Sequence, residues 1–459
     1  MSKTRIEKDS MGELKVAANA LYRAQTQRAI NNFPVSGKPM PAAFIRALAY
    51  IKIGAAEANM DLALLNKKIG KAIIAAAKEI TAGEHLEHFP VDVYQTGSGT
   101  SSNMNMNEVL ATLAQKKSGM TIDPNDHVNM GQSSNDVIPT AIHVSAMFEL
   151  RRHLLPALTT LQTAIERKAK KVQKHTKTGR THLMDAMPIK MSQELGGWAL
   201  QIKKNISRIK DAEKRLLMLA QGGTAVGTGI NTDPRFAALF AKKLKALSGI
   251  AFVPNASFFE SLSAQDAAVE MSGQLKTTAV SMMKIANDLR WMNSGPLSGL
   301  GEIELTALQP GSSIMPGKVN PVIAESAAMV AARVIGNDSS ITIAGQSGNF
   351  QLNVMLPLIA DALLESIALL ANCAPLMAQC ISSFTVRDDN LQRSLAQNPM
   401  LVTALNPVIG YLAAAKIAKR AYQEQRPVLD VALEETNLSA AQLKKLLNPA
   451  TLTQGGIGS

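Results

Sequence analysis

Aromatic residues make up only 4% of the 459-residue chain, and cysteine occurs just twice. Alternating runs of β-branched and aromatic side chains hardly occur, which excludes a core built from sheets. A disulfide framework is excluded too. Cys373 and Cys380 lie seven apart in an apolar helical stretch and read as small core residues, which suits a reducing cytosol. The start of the chain, Met1 to Lys15, is charged throughout, and Glu325, Arg333, Asn406 and Lys416 break the most apolar later windows. Neither an export signal nor a membrane span is therefore expected, and the location expected is cytoplasmic. No His/Cys/Asp/Glu spacing resembles a metal site, no G-x-S-x-G elbow occurs, and no G-x-G-x-x-G opens a strand-to-helix unit. Metal, acyl-transfer and dinucleotide chemistry lose ground.

What is present favours helices. Hydrophobic residues reach 46%, supplied by Ala, Leu, Ile and Met rather than by aromatics. The net charge of +12 raises nucleic-acid binding as an alternative. However, the densest basic run, Arg167 to Lys177, has no aromatic residue on which a base could stack and falls where a helix should end. A positive field of this kind equally concentrates a small dianion. Neither nucleic acid nor membrane is expected as a partner.

Apolar spacing divides the chain into three zones: residues 1–131, mixed short helices and Pro/Gly/Asn-rich loops; 132–387, long helices; and 388–459, a small helical domain. In the first zone Phe44 to Leu65 reads as a helix. The second holds five long periodic stretches, Pro139 to Val172, Pro188 to Leu219, Ser261 to Met292, Pro321 to Ile343 and Leu352 to Phe384. Pro139, Pro188 and Pro321 are expected near helix starts, where a missing N–H costs nothing, and Pro156 is expected to kink its helix. The third zone includes a helical pattern over Leu401 to Arg420. The fold class is all-α, with a long five-helix central bundle. Stretches this long with apolar positions on more than one face also imply self-association.

Four polar, glycine-punctuated segments interrupt the helices. Thr96-Gly97-Ser98-Gly99-Thr100-Ser101-Ser102-Asn103 offers hydroxyls for a carboxylate and glycines for close approach, although a turn with a helix cap has the same composition. Gln132-Ser133-Ser134-Asn135-Asp136 precedes a long helix, where backbone amides and hydroxyls make an anion site; capping explains one of these residues but not four. Gly179-Arg180-Thr181-His182-Leu183-Met184-Asp185 carries a histidine able to pass protons, which Glu325 could orient if close in space. Gly311-Ser312-Ser313-Ile314-Met315-Pro316-Gly317-Lys318-Val319-Asn320-Pro321 is not a phosphate loop, because its glycines are one residue too far apart and Val319 stands where Ser or Thr must ligate magnesium. Its bracketing glycines suit a mobile catalytic loop.

Together and in this order, the four segments resemble the fumarase/aspartase superfamily, whose signature loop is similar to Gly311 to Pro321. The likeness covers nearly the whole chain, including Gly222 to Asn231 and Lys284 to Pro296. Thr181-His182 and Pro316-Gly317-Lys318 resemble the class II fumarate hydratases, whereas aspartases carry glutamine in place of His182 and alanine in place of Gly317. Argininosuccinate and adenylosuccinate lyases have more divergent loops. The resemblance implies reversible hydration of fumarate to L-malate, a tricarboxylic acid cycle reaction, without a cofactor. It further implies a homotetramer with a 20-helix core, whose active sites are each assembled from segments of three subunits. By the same resemblance Ser312 is the base at malate C3, His182 paired with Glu325 handles the water, and Lys318 and Asn320 stabilise the developing charge. Ser98, Gly99, Thr100, Ser133, Ser134, Asn135, Thr181 and Ser313 would hold the substrate. Aspartate ammonia-lyase is the alternative, followed by a non-catalytic anion binder. One departure concerns a second carboxylate site, which fumarases often build on His-Pro-Asn-Asp after a basic residue. Here Asp123-Pro124-Asn125-Asp126 follows Met120, and the carboxylate of Asp123 would repel another, which argues against that site.

Overall fold

The computed structural model describes residues 3–456, so the outer limits Met1 and Ser459 of the first and third zones lie outside the described residues. The chain opens with a hairpin, β1 (Thr4–Asp9) paired antiparallel with β2 (Gly12–Ala17). Its two-residue turn closes because Gly12 adopts φ 109°, and Arg28 clamps Asp9 through bonds of 2.7 and 2.9 Å. Charged residues dominate both strands, so the pair carries no apolar strand signal. Helix α1 (Ala42–Asp61) covers the predicted Phe44 pattern and ends four residues early, and α2 (Thr100–Ser118) starts directly after Gly99 in the left-handed region.

The first long stretch forms as α3 (Ser134–Glu149), a single π turn (Leu150–Leu154) and α4 (Leu155–Lys171). The π turn lies just ahead of Pro156, whose ring cannot sit under an ordinary helical carbonyl. Pro139 is inside α3 rather than at its start, because Ser133 and Asp136 cap the helix reciprocally and begin it at Ser134. Pro188 is likewise not at a helix start. It lies in β4 (Met184–Lys190), which pairs with β3 (Thr176–Thr181), and an isolated hairpin tolerates the missing N–H because both strands are edges. The remaining long helices are α5 (Met191–Leu216), α6 (Asp266–Met292), α7 (Val322–Gly345) and α8 (Leu356–Ser383), close to the spans predicted. By length and apolarity α8 alone among the described helices could cross a membrane, but 72% of its most apolar window is buried, as in a core helix.

After α8 the Leu401 to Arg420 pattern is not one helix. A 3-10 turn over Pro399–Leu405 and a short helix over Asn406–Ile409 precede α9 (Tyr411–Glu424), because Pro399 and Pro407 interrupt the ladder and Gly410 takes φ 81°. Leu401, Leu405, Ile417, Val431 and Leu443 form the core of this end of the chain, together with α10 (Val428–Glu435) and α11 (Ala440–Leu446). The fold is all-α in class, its strands among the described residues confined to two-stranded pairs.

Two compact units result, one comprising Met1–Pro156, Ser207–Ala279 and Ala331–Ala371, the other Ala157–Ile206, Val280–Val330 and Asn372–Ser459. In the first, buried and half-buried polar ties join the long helices: Ser272 Oγ and Lys276 Nζ of α6 both donate to Asp338 of α7, and Asn337 Nδ2 donates to Glu365 and Ser366 of α8. In the second, Asn205 of α5 bonds Ser281 of α6 at 2.9 Å, and Lys168 of α4 reaches the carbonyls of Ser382 and Phe384. Thus the basic run at the end of α4 is only partly solvated.

Candidate active site

The candidate residues divide between the two units. In the first unit the Thr96 to Thr100 segment is drawn against the chain before α8. Gly97 O accepts from Leu356 N at 2.9 Å, and a Cβ on Gly97 would stand 1.8 Å from Val354 O, so only glycine fits. This close approach turns Ser98 inward, where it is 8% exposed. Its hydroxyl bonds Thr100 Oγ1 at 2.8 Å, which in turn bonds Ser134 Oγ at 2.7 Å. Two segments read separately in the sequence therefore meet in one chain of hydroxyls, seated at the N-termini of α2 and α3. Such a row offers neutral donors at two helix N-termini, an arrangement suited to a carboxylate.

Asp136 holds this arrangement in place. Fully buried, it accepts from Ser133 N at 2.9 Å, Gly222 N at 2.9 Å and Thr224 N at 3.0 Å. Asn135 adds a bond from Nδ2 to Ala225 O at 2.8 Å. Together these fasten Gly222 to Asn231, part of the resemblance, to the head of α3. Burial pushes the Asp136 carboxyl up to about 6, against the pull of its three amide donors and of Lys52. Asp136→Ala would strand three amides, two of them bonded in the interior, and should cost about 3 kcal/mol of stability in thermal unfolding. Because the folded pKa is raised, the stability contributed by this group is full below about 4 and lost as pH rises through about 6. The gap between wild type and variant should therefore narrow over that window, and a gap that widened would contradict the assignment.

In the second unit His182 and Leu183 form the two-residue turn of the β3–β4 hairpin, both at positive φ, 55° and 61°. A tight turn of that hand presents its side chains outward, and Thr181, His182 and Leu183 are exposed. A bulge at Gly179 aims the hairpin; a Cβ there would meet Met187 O at 2.6 Å. Behind the tip, the buried Lys177 pairs with Glu194 at 2.9 Å and with Glu302 at 2.5 Å, while Arg180 pairs with Glu302 at 2.6 Å. An exposed histidine thus stands on a base anchored by buried charge. Among the described residues its side chain has no hydrogen-bond partner, so the His182–Glu325 pair is not made within one chain.

The Gly311 to Pro321 segment is a loop closed at its neck by Gly311 N to Lys318 O, 2.8 Å, and by Asn320 Nδ2 to Gly311 O, 2.7 Å. Ser312 Oγ accepts from the backbone N–H of Ile314 at 3.2 Å and of Met315 at 3.0 Å. Two amide donors on one hydroxyl oxygen are the means by which a serine alkoxide is stabilised. Ser313 and Lys318 are exposed, Gly317 takes φ 81°, and Glu325 lies in the first turn of α7. At the departing motif, Asp123 accepts from Asn125 N at 2.8 Å and Asp126 N at 2.9 Å, so its carboxylate caps its own turn, while the side chains of Asn125 and Asp126 face solvent.

In the sequence Asp136 stood only as the last residue of the Gln132 to Asp136 segment, without a role of its own, and Lys52 was not singled out. Asp136 had a usable signal, the Ser133-x-x-Asp136 capping box. Lys52 had one too, a lysine four residues from Leu48 and eight from Phe44 on an apolar helical face. Glu79, Glu84, His85, Glu87 and His88 also come close together in space, though not at a spacing that marks a metal site in sequence; here Glu79 is paired with Lys117 and His85.

The chain matches the lyase family over residues 12–336, so its long helices with hydroxyl- and amide-bearing loops at their ends are those of a helical lyase. It also matches the fumarase C C-terminal domain over residues 401–454. It is 62% identical to fumarate hydratase class II 2 of Pseudomonas aeruginosa, covering 100% of both chains, and 60% identical to the class II fumarate hydratase of Xylella fastidiosa, covering 99% of this chain and 96% of that one. The crystal structure of class II fumarase from Schistosoma mansoni superposes with a TM-score of 0.96 at 36% identity, covering 98% and 99% of the two chains. The chain belongs to the class II fumarate hydratase family.

Proposed function

We propose that the chain catalyses the reversible addition of water to fumarate to give L-malate, in the cytoplasm and within the tricarboxylic acid cycle. The observation that carries this reading is Ser312 with two backbone amides on its oxygen, in a loop that also presents Lys318 and Asn320. In the dehydration direction Ser312, as the alkoxide held by those two amides, takes the proton from malate C3 and becomes a neutral hydroxyl that returns the proton to solvent before the next turnover, while the electron pair left behind spreads onto the adjoining carboxylate. Lys318 and the second amide hydrogen of Asn320 meet the added charge. His182 then gives a proton to the departing C2 hydroxyl, which leaves as water and completes the double bond. Hydration runs the same steps backward. Ser98, Gly99, Thr100, Ser133, Ser134, Asn135, Thr181 and Ser313 hold the substrate, mostly as neutral donors that let a dianion leave again.

The working form is a homotetramer in which each site draws on three subunits and the His182–Glu325 pair is made between subunits. Uncovered apolar side chains on the long helices support this: Leu200, Val280, Trp291, Met329 and Ile343 are each more than half exposed in the single chain. The three zones, 1–131, 132–387 and 388–459, are proposed as the end domain, bundle and C-terminal domain of that subunit. Assaying the purified chain with malate, aspartate and argininosuccinate tests the reaction, because ammonia released from aspartate would transfer it to the aspartase alternative. An intact tetramer mass in solution tests the assembly.

A further inference from the structure

Lys52 is a fully buried lysine of α1, with Phe44, Leu48, Ile51 and Ala55 buried beside it on the same helix. Its ammonium donates to three side-chain carbonyls: Asn103 Oδ1 at 2.9 Å, Asn129 Oδ1 at 3.1 Å and Gln132 Oε1 at 3.0 Å. Three donors meet three acceptors, which leaves the charged form fully bonded. Asn103 follows Thr100 in the first turn of α2, and Gln132 directly precedes Ser133. Asn129 joins them further, accepting from Asn103 Nδ2 at 3.1 Å and Asn107 Nδ2 at 3.2 Å and donating to Gln132 O at 3.2 Å. Every partner of Lys52 thus sits on, or next to, one of the two segments whose hydroxyls meet at Thr100 and Ser134.

Burying a charge is a poor device for stability alone, since apolar replacements of equal volume commonly do as well. We propose that Lys52 is a positioning residue for dicarboxylate binding: its ammonium ties the segment entering α2 to the loop entering α3 and adds a positive charge beside both. This inference rests on the assignment of those hydroxyls to the substrate carboxylate.

The groups facing the ammonium are amides from α2 (Asn103) and from the loop before α3 (Asn129 and Gln132), and from α3 the carboxylate of Asp136, the titratable group that acts on it among the described residues. Burial lowers the ammonium to about 7 although Asp136 opposes the shift. The positive charge is therefore present in mild acid and fades as pH rises through neutrality. A bound dianion favours the charged form, so dicarboxylate affinity should weaken over the same interval.

The experiment is calorimetric binding of succinate, a dicarboxylate that does not react, to the full-length wild type, Lys52→Met and Lys52→Arg at about pH 6 and about pH 8.5. The His182→Asn variant is measured alongside, so that histidine titration is removed from the comparison. We expect wild type and His182→Asn to bind about tenfold more tightly at the lower pH. Lys52→Met should bind about tenfold more weakly there and keep only the smaller pH dependence that Asp136 contributes, and Lys52→Arg should recover part of both. Wild-type affinity and pH dependence in a folded Lys52→Met would overturn the proposal. Should Lys52→Met fail to fold, a pH-independent affinity in His182→Asn would overturn it instead. Malate turnover is scored separately: binding that follows this pattern in a protein that does not dehydrate malate contradicts the hydratase reading and leaves the role of Lys52 standing.

Discussion

Ser312→Ala should lower malate dehydration by about 10³-fold while leaving succinate binding within about threefold of wild type. The argument begins with how poor a base serine is. Its hydroxyl holds its proton at any working pH, so it can act only where the alkoxide is stabilised and water is kept away. The loop supplies the first condition through the Ile314 and Met315 amides, both donating to Ser312 Oγ. Alanine removes the oxygen and leaves those two amides in an exposed stretch, where solvent can take them up. The variant should accordingly fold with little change in thermal stability. The loop neck, formed by Gly311, Lys318 and Asn320, does not involve the Ser312 side chain and should persist. Activity within about tenfold of wild type would remove Ser312 as the base.

Lys318→Met should reduce kcat by about 10²- to 10³-fold, with a much smaller change in KM for malate. Removing a proton from a carbon next to a carboxylate places a second negative charge on that carboxylate, and this charge is absent from the ground state. A cation that meets it stabilises the transition state more than the bound substrate, so its loss falls on kcat. Lys318 is suited to the role because it is exposed on the loop and has no ion-pair partner among the described residues. It does not have to abandon a salt bridge to reach substrate. Equal losses in affinity and turnover would instead make Lys318 an ordinary carboxylate anchor.

The long helices were legible because their apolar periodicity extends over many turns, and α6, α7 and α8 lie within a few residues of the predicted spans. Local signals competed less well. Pro139 suggested a helix start, but the Ser133–Asp136 capping box begins α3 five residues earlier. Pro188 suggested another, but backbone pairing with Thr178 holds it in a hairpin. The helix expected over Leu401 to Arg420 kept its apolar face and lost its continuity to Pro407 and Gly410. At the site, the segments were recognisable by composition, whereas their junction was not. Nothing in the spacing between Thr100 and Ser134 announces a hydroxyl-to-hydroxyl bond, which depends on two helix N-termini converging. His182 stood out as a histidine in a polar segment, yet its outward aim comes from a turn at positive φ and from the Lys177–Glu302–Arg180 cluster behind it. Asp136 and Lys52 act from the interior, where single-residue reading sees only a cap and a misplaced charge.

The central claim is that an intact hydratase site forms from these segments with no added cofactor. Ultraviolet absorbance tests it most directly, because dehydration converts malate into a conjugated dicarboxylate that absorbs strongly. Purified full-length protein given L-malate alone should produce a steady rise that reverses when fumarate is supplied instead. No change with malate in a folded, tetrameric preparation, together with ammonia release from aspartate, would contradict it.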